Sequence, residues 1–294
     1  MKASIIINRI NNAHSYMHVF DNLDNWREEY KNMVKDIHPD ICSEAGCNEA
    51  IIKLNEFKNQ IENGTTFSDG IATGRYFIDN CFYEIDLKLL DINRGNYLRL
   101  VNLKDESSKH FQKYLPSNFD TRYDSKTILH YPQRAIPLSN YLNVEIKHVN
   151  WILSRLLEFA CWLNQNKFCH AGINPDSIFL VPENHGIICT SFFHMKMLDE
   201  RLTSITGKYL NFYPSSVTKD KIANSSIDIT LCKKTAIYLL GDHSGNGAKL
   251  RGTINEEYLD FLQRVEYDPL ECYTTFRNLL NKYFNTKEFH ELKI

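Results

Sequence analysis

The stretch Phe168-Cys-His-Ala-Gly-Ile-Asn-Pro-Asp-Ser-Ile-Phe-Leu180 lies between a long helical pattern and a short apolar run. From Ile146 to Leu163, apolar residues recur with the period of a helix and cover a broad face. The apolar run is Ile187-Ile-Cys-Thr-Ser-Phe192. Further on, Thr235-Ala-Ile-Tyr-Leu-Leu240 is apolar all round, which predicts a buried helix.

Short alternating segments precede the long helix. Residues 75–78, 81–86, 87–92 and 127–130 alternate like strands. A helix is predicted over 103–114, where Pro116 ends it. A small sheet followed by helices predicts the α+β class.

In order and spacing, Phe168 to Leu180 resembles the protein-kinase segment H-R-D-L-x-P-x-N. Ile187 to Phe192 falls where kinases have a strand and D-F-G, and Tyr213-Pro214-Ser215 resembles A-P-E. Ser226 to Asp242 resembles the buried helix of the kinase C-lobe, and Asp268-Pro269 falls at a late helix start. The resemblance implies a two-lobed protein-kinase-like fold, with an N-lobe at 67–131 and a mainly helical C-lobe at 132–294.

The resemblance also locates three positions where catalytic groups are replaced. The position of the catalytic base is Gly172, that of the metal-binding asparagine is Ser177, and that of the D-F-G aspartate is Thr190. Phosphoryl transfer needs a carboxylate base and oxygen ligands for Mg²⁺, and neutral hydroxyls are poor ligands for that ion. We therefore predict a pseudokinase with no catalytic residues, no bound metal and no cofactor.

The resemblance also assigns structural or binding roles to several other positions. Asp228 is expected to accept backbone N–H bonds from the loop around His170, with the His170 ring packed beneath it.

Lys88 falls at the position of the phosphate-binding lysine, with Glu106 as its helix partner, although a solvated lysine on an edge strand is the alternative. Asp176 is the one carboxylate that could replace a metal ligand, and a loop-capping role is its alternative. Ser215 and Cys272 replace the A-P-E glutamate and its arginine partner, so neither leaves a stranded buried charge.

The first 66 residues have a different character. Apolar residues from Trp26 to Ile37 lie on one face of a predicted helix, and Arg27, Lys31 and Lys35 form a basic stripe on another. Pro39 ends this helix, and a second helix is predicted from about 48 to 62. The tripeptide His38-Pro39-Asp40 occupies the connecting loop.

This helical hairpin resembles a J-domain, and the whole chain resembles phage-encoded proteins that join a J-like segment to a degenerate kinase fold. The resemblance implies that Arg27, Lys31 and Lys35 meet an acidic surface on a DnaK-type chaperone ATPase, and that the exposed tripeptide binds it. One departure is that Met1 to Asn11 looks strand-like where a J-domain has a helix. The tripeptide could also be an ordinary helix stop, and a metal site at His38, Asp40 and Cys42 lacks a fourth ligand.

Composition limits the classes of partner. The 294 residues carry a net charge of −2, which disfavours nucleic acid. No segment approaches the apolar length of a membrane span or a signal peptide. The eight cysteines include no Cys-x-x-Cys pair and are expected to be free thiols in a reducing cytoplasm, that of the host if the chain is phage-encoded.

The predicted function is therefore a non-catalytic adaptor. The J-like part would recruit the host DnaK-type chaperone, and the pseudokinase would bind an unknown client protein. The alternatives are an atypical ATP-binding transferase that uses Lys88, Glu106 and Asp176, and a J-like hairpin that recruits nothing.

Overall fold

The computed structural model describes residues 3–13, 16, 19–21, 25–68, 73–76, 80–84, 87–121, 126–130, 135–141, 143–182 and 186–284. The chain divides into two compact units. The smaller unit is built on the residues up to Thr66 and the larger on Asp79–Lys293, and residues 67–78 are shared between them. Each unit is described separately below.

The described part of the smaller unit contains the helices α1 (Ala3–Asn12), α2 (Trp26–Ile37) and α3 (Cys47–Asn63), which pack against one another. The helices predicted at 26–37 and 48–62 are confirmed by α2 and α3. The strand-like prediction for Met1 to Asn11 is wrong. Ile6, Ile7 and Ile10 share one face of α1 and are buried, so tertiary packing outweighs the β-propensity of the isoleucine run.

Two cysteines also depart from the sequence-based expectation. Cys42, between α2 and α3, and Cys47, at the start of α3, form a disulfide with a Cα–Cα distance of 6.7 Å. The expectation of free thiols is therefore wrong for this pair. The two cysteines are five residues apart in the sequence, Cys47 is the first residue of α3, and their Cα–Cα distance lies within the range of disulfides.

The larger unit begins with strands and one long helix. The strands are β1 (Thr65–Ser68) and β2 (Thr73–Tyr76) at the boundary of the units, followed by β3 (Asn80–Glu84), β4 (Asn118–Thr121) and β5 (Lys126–His130). Strand β5 pairs antiparallel with β3 on one side and with β4 on the other.

Helix α4 (Leu87–Val101) overturns two predictions. Residues 87–92 are helical rather than extended, and the helix expected over 103–114 is reduced to α5 (Ser108–Phe111) and a 3-10 helix (Gln112–Tyr114). The buried stripe of α4 contains Asn93 and Asn96 among its apolar residues. These buried amides interrupt the hydropathy pattern, so the helical period is not visible in the sequence.

The remainder of the larger unit is mainly helical. It contains α6 (Ile146–Gln165), α7 (Ser215–Lys219), α8 (Ser225–Leu239), α9 (Glu256–Gln263) and α10 (Pro269–Tyr283). Helices α6 and α8 pack against each other, and α10 packs against both. The helices predicted from Ile146, around Thr235 and after Asp268 are confirmed.

Short strands lie between these helices. Strand β8 (Ile178–Val181) pairs antiparallel with β6 (Ile136–Pro137) and with β9 (Gly186–Cys189). Strand β7 (Phe168–Cys169) pairs with β10 (Lys196–Met197). Strand β7 and the loop that follows it contact α8. Within the part of the chain that is described, no helix has the length and apolar character needed to span a membrane.

Candidate functional site

The loop between β7 and β8, His170–Ser177, is bound to helix α8 through one carboxylate. The two oxygens of Asp228 accept hydrogen bonds from the backbone N–H groups of His170, at 2.7 Å, and Ala171, at 2.8 Å. Ala171 has a φ of 53°, a left-handed conformation that side chains disfavour, so the loop needs such external contacts. Burial raises the pKa of Asp228 to about 6, although the two backbone hydrogen bonds act in the opposite direction.

The His170 ring is neutral and structural. Its Nδ1 accepts a hydrogen bond from the backbone N–H of Gly172 at 3.2 Å, so the proton lies on Nε2, which faces the Cys189 sulfur at 2.9 Å. Burial lowers the pKa of His170 to about 3. The ring meets the ring of Phe192 edge-on at 5.9 Å. At neutral pH this imidazole therefore has neither a charge nor access to substrate.

The space beside Gly172, the expected position of the catalytic base, is already occupied. A Cβ at Gly172 would lie 2.8 Å from Cδ2 of His194. The His194 ring is held on both sides, with Nδ1 3.0 Å from the Ser204 hydroxyl and Nε2 3.2 Å from the Thr206 hydroxyl. Sequence reasoning missed His194, and the buried ring leaves no room for a carboxylate.

The two positions expected to have lost their metal ligands are engaged within the loop. The Ser177 hydroxyl donates to the Gly172 carbonyl at 2.7 Å, and the Thr190 hydroxyl donates to the Ser177 carbonyl at 3.1 Å. Both residues are fully buried. Ser191, the neighbour of Thr190, is also buried and also carries a neutral hydroxyl. No negatively charged oxygen replaces the expected metal ligands at these positions.

Asn174, which sequence reasoning missed, performs the loop-capping role suggested for Asp176. The Asn174 side-chain oxygen accepts hydrogen bonds from the N–H groups of Asp176, at 2.9 Å, and Ser177, at 3.0 Å. The buried Asp176 carboxylate instead pairs with Lys208 and accepts a hydrogen bond from the Tyr209 hydroxyl at 2.9 Å. Asn174 therefore caps this turn, while the Asp176 carboxylate bonds to Lys208 and Tyr209.

The suggested nucleotide-binding pair does not lie on the elements that the sequence predicted. Lys88 is in the first turn of α4 rather than on a strand. Glu106 is exposed in the turn before α5 rather than on a helix. Among the described residues, no group of three or more His, Cys, Asp or Glu side chains converges as a metal site.

Three further side chains hold the segments around the loop. Asn93 accepts a hydrogen bond from the N–H of Phe192 at 2.7 Å, and Asn96 donates to the Phe192 carbonyl at 2.8 Å. The Tyr213 hydroxyl donates to the Ala171 carbonyl at 2.7 Å and accepts from the N–H of Thr206 at 3.0 Å. Asparagines on a helix and a lone tyrosine gave no sequence signal for these contacts.

In the smaller unit, the candidate site is the loop after α2. The side chains of His38 and Asp40 are 44% and 85% exposed, and Pro39 is exposed as well. The loop is held by hydrogen bonds from the N–H groups of Ile41 and Cys42 to the His38 carbonyl, at 2.9 and 2.8 Å.

The basic stripe of α2 reaches the solvent. Arg27, Lys31 and Lys35 are all exposed, and the Arg27 guanidinium lies 5.0 Å from the centre of the Trp26 ring. Acidic residues share the helix, namely Glu28, Glu29 and Asp36. The stripe is therefore a local positive surface on a helix without a large net charge.

Comparisons with known proteins were made for the sequence and for the fold. No protein-family model and no curated protein matches the sequence. Among solved structures, a rhoptry kinase from Toxoplasma gondii is 12% identical, with a TM-score of 0.48 over 72% of this chain and 76% of that chain. ROP2 from Toxoplasma gondii, described as a virulence factor with a protein-kinase fold and no enzymatic activity, is 14% identical, with a TM-score of 0.47 over 74% of this chain and 79% of that chain. Both are kinase-fold proteins.

The hydrogen bonds of Asp228 predict a stability cost for Asp228→Asn. The amide has one acceptor oxygen and turns its NH₂ group towards the second backbone N–H, so the free energy of unfolding at pH 7 should fall by about 1–3 kcal/mol. Chemical denaturation measures this loss. Asp260→Asn, at an exposed position on α9, is the matched control and should change little.

The pH dependence of the same variant tests the raised pKa. The folded pKa of about 6 lies above the ordinary value of 3.8, so between these values only the folded protein binds the proton. The stability that wild type has over Asp228→Asn should therefore decrease as the pH rises from 4 to 6, by at most about 1.4 kcal/mol per pH unit. A difference that stays constant over this range would show that the pKa is not raised.

The contact of Gly172 with His194 predicts the sign of a second substitution. Gly172 has no positive φ, so Gly172→Ala without steric conflict should stabilise the fold by about 0.4–1 kcal/mol. The 2.8 Å approach to His194 should instead destabilise it by about 1–3 kcal/mol. Gly95→Ala on α4, where a Cβ meets nothing within 4 Å, is the control and should stabilise. If Gly172→Ala behaved like Gly95→Ala, the space beside Gly172 would be open.

Proposed function

We propose that this chain is a non-catalytic adaptor, in which a pseudokinase-like larger unit binds a client protein and the smaller unit recruits a DnaK-type chaperone. The observation that carries the first part is the occupied space beside Gly172, where the buried His194 ring excludes a catalytic carboxylate. The protein-kinase-like reading is supported by the loop between β7 and β8 and by its bonds to Asp228.

The charges around the loop also support the absence of catalysis. His170 is neutral, the hydroxyls of Ser177 and Thr190 bond to backbone carbonyls, and Asp176 is paired with Lys208. Phosphoryl transfer depends on stabilising negative charge with metal ions and on a positioned base. The site thus offers neither of the two requirements.

The atypical transferase is disfavoured by the same contacts. It requires Lys88, Glu106 and Asp176 to act together on a nucleotide. Lys88 lies in the first turn of a helix, Glu106 is exposed in a turn, and the Asp176 carboxylate is buried against Lys208 and Tyr209.

Chaperone recruitment rests on the exposure of His38-Pro39-Asp40. A docking loop must present its polar groups to solvent, and both flanking side chains of the tripeptide do so. The exposed stripe of Arg27, Lys31 and Lys35 lies on the helix that leads into this loop, and it would steer the unit to an acidic surface. If the hairpin recruited nothing and only packed against other parts of the chain, a buried His38 would be expected. The proposed partner implies a cytoplasmic location, that of the host if the chain is phage-encoded.

Chaperone recruitment predicts a catalytic effect on the partner. Wild type should accelerate single-turnover ATP hydrolysis by a bacterial DnaK about fivefold or more, and His38→Gln should abolish this effect without changing the melting temperature. Glu44→Gln, an exposed substitution in the same connection, is the control and should stimulate like wild type. The assay is run with and without reductant, because the Cys42–Cys47 disulfide lies in this connection. No stimulation by wild type in either condition would refute recruitment.

The absence of catalysis predicts no productive nucleotide binding. ATP with Mg²⁺ should not raise the melting temperature above the value with ATP alone, whereas a ligand at 100 times its Kd stabilises a protein by about 2.7 kcal/mol. No γ-phosphate should be transferred to protein or peptide acceptors. A saturable, Mg²⁺-dependent stabilisation that is lost in Lys88→Ala, but kept in the exposed control Lys104→Ala, would establish the transferase instead.

A further inference from the structure

A cavity in the larger unit is separate from the loop around Gly172. It lies between the 3-10 helix Gln112–Tyr114, helix α6 and strand β9, and its volume is about 520 Å³. Pockets for small organic ligands typically measure about 300–1,000 Å³. None of the lining residues belongs to the loop His170–Ser177, so this cavity has no part in the function proposed above.

One wall of the cavity is apolar. Leu115, Val181, Ile187 and Ile188 line it, and all four are buried. Gly186, at the start of β9, adds a surface without a side chain. Such a wall suits the hydrocarbon or aromatic body of a ligand, because both surfaces lose contact with water on binding.

The other wall is basic. Lys113 and Arg155 line the cavity, and no carboxylate is present among its described lining residues. The Arg155 guanidinium bonds to Glu158 through Nη1 at 3.1 Å, and this is one of its five N–H donors. Lys113 is exposed and forms no ion pair with a described residue. Among the described residues, Lys113 and Arg155 therefore bring two positive charges to the cavity, against the one negative charge of Glu158.

The Tyr114 hydroxyl provides an independent indication of a ligand. Tyr114 lines the cavity and is only 6% exposed; the Arg155 side chain is hydrogen-bonded to its hydroxyl oxygen, but no described residue accepts the hydroxyl proton. Burial raises the pKa of Tyr114 to about 12, so the hydroxyl keeps its proton and can donate it to an acceptor. Arg155 lies close enough for its charge to act on this group. Buried polar groups are normally paired, so an acceptor is missing beside Arg155.

We infer that the cavity binds a small organic anion with an apolar body, whose anionic oxygens accept hydrogen bonds from Tyr114 and Arg155 while Lys113 adds charge at the entrance. The apolar wall would hold the rest of the molecule. A carboxylate and a monophosphate ester share this chemistry, and the experiment below separates them.

The test uses a pair of fluorescent probes with similar ring systems. 8-Anilinonaphthalene-1-sulfonate carries an anionic group, and N-phenyl-1-naphthylamine lacks it. Wild type should bind the sulfonate saturably at one site. Tyr114→Phe removes only the hydroxyl and should weaken sulfonate binding about tenfold, and Lys113→Met should weaken it up to about fivefold. Binding of the uncharged amine should be unchanged in both variants.

The controls make each outcome decisive. Lys109→Met changes an exposed lysine that does not line the cavity and should bind both probes like wild type. Arg155 is left intact because it also pairs with Glu158. Equal sulfonate binding by wild type, Tyr114→Phe and Lys113→Met would overturn the inference, as would equal losses for the two probes or no saturable binding by wild type. Displacement by 1-naphthoate or by 1-naphthyl phosphate then identifies which anionic group is preferred.

Discussion

The carboxylate of Asp228 connects the buried helix α8 to the loop between β7 and β8. The consecutive backbone N–H groups of His170 and Ala171 point at its two oxygens. Ala171 itself has a left-handed backbone conformation. A buried charge is costly unless it is fully hydrogen-bonded. The raised pKa of Asp228 reflects that cost, and the two short hydrogen bonds recover part of it. This attachment holds the backbone of His170 and Ala171 at the start of the loop.

The loop that Asp228 positions is closed by its own hydrogen bonds. Its hydroxyls donate to backbone carbonyls, its asparagine caps the turn, and its remaining carboxylate is paired with Lys208. Unpaired carboxylates buried at these positions would carry a large electrostatic cost. The neutral hydroxyls present there are paired, and the His194 ring fills the space beside Gly172. The loop is therefore a tightly packed site.

Predictability differed among elements for identifiable reasons. Helices α2, α6 and α8 show apolar residues at helical spacing or throughout, and the sequence predicted each of them. Helix α4 was not predicted from the sequence because Asn93 and Asn96 occupy buried positions, where their amides bond to the backbone around Phe192. Helix α1 was not predicted from the sequence because isoleucine has a high intrinsic preference for strands.

At the site, the residue types alone show where carboxylates are absent. Gly172, Ser177 and Thr190 cannot supply a carboxylate in any fold, and the expected bonds from Asp228 to the loop are present. The side chains that surround these positions depend on how the chain packs. His194, Asn174 and Lys208 are brought to the loop by distances and hydrogen bonds that no local pattern encodes, because each depends on how segments far apart in the chain pack around α8.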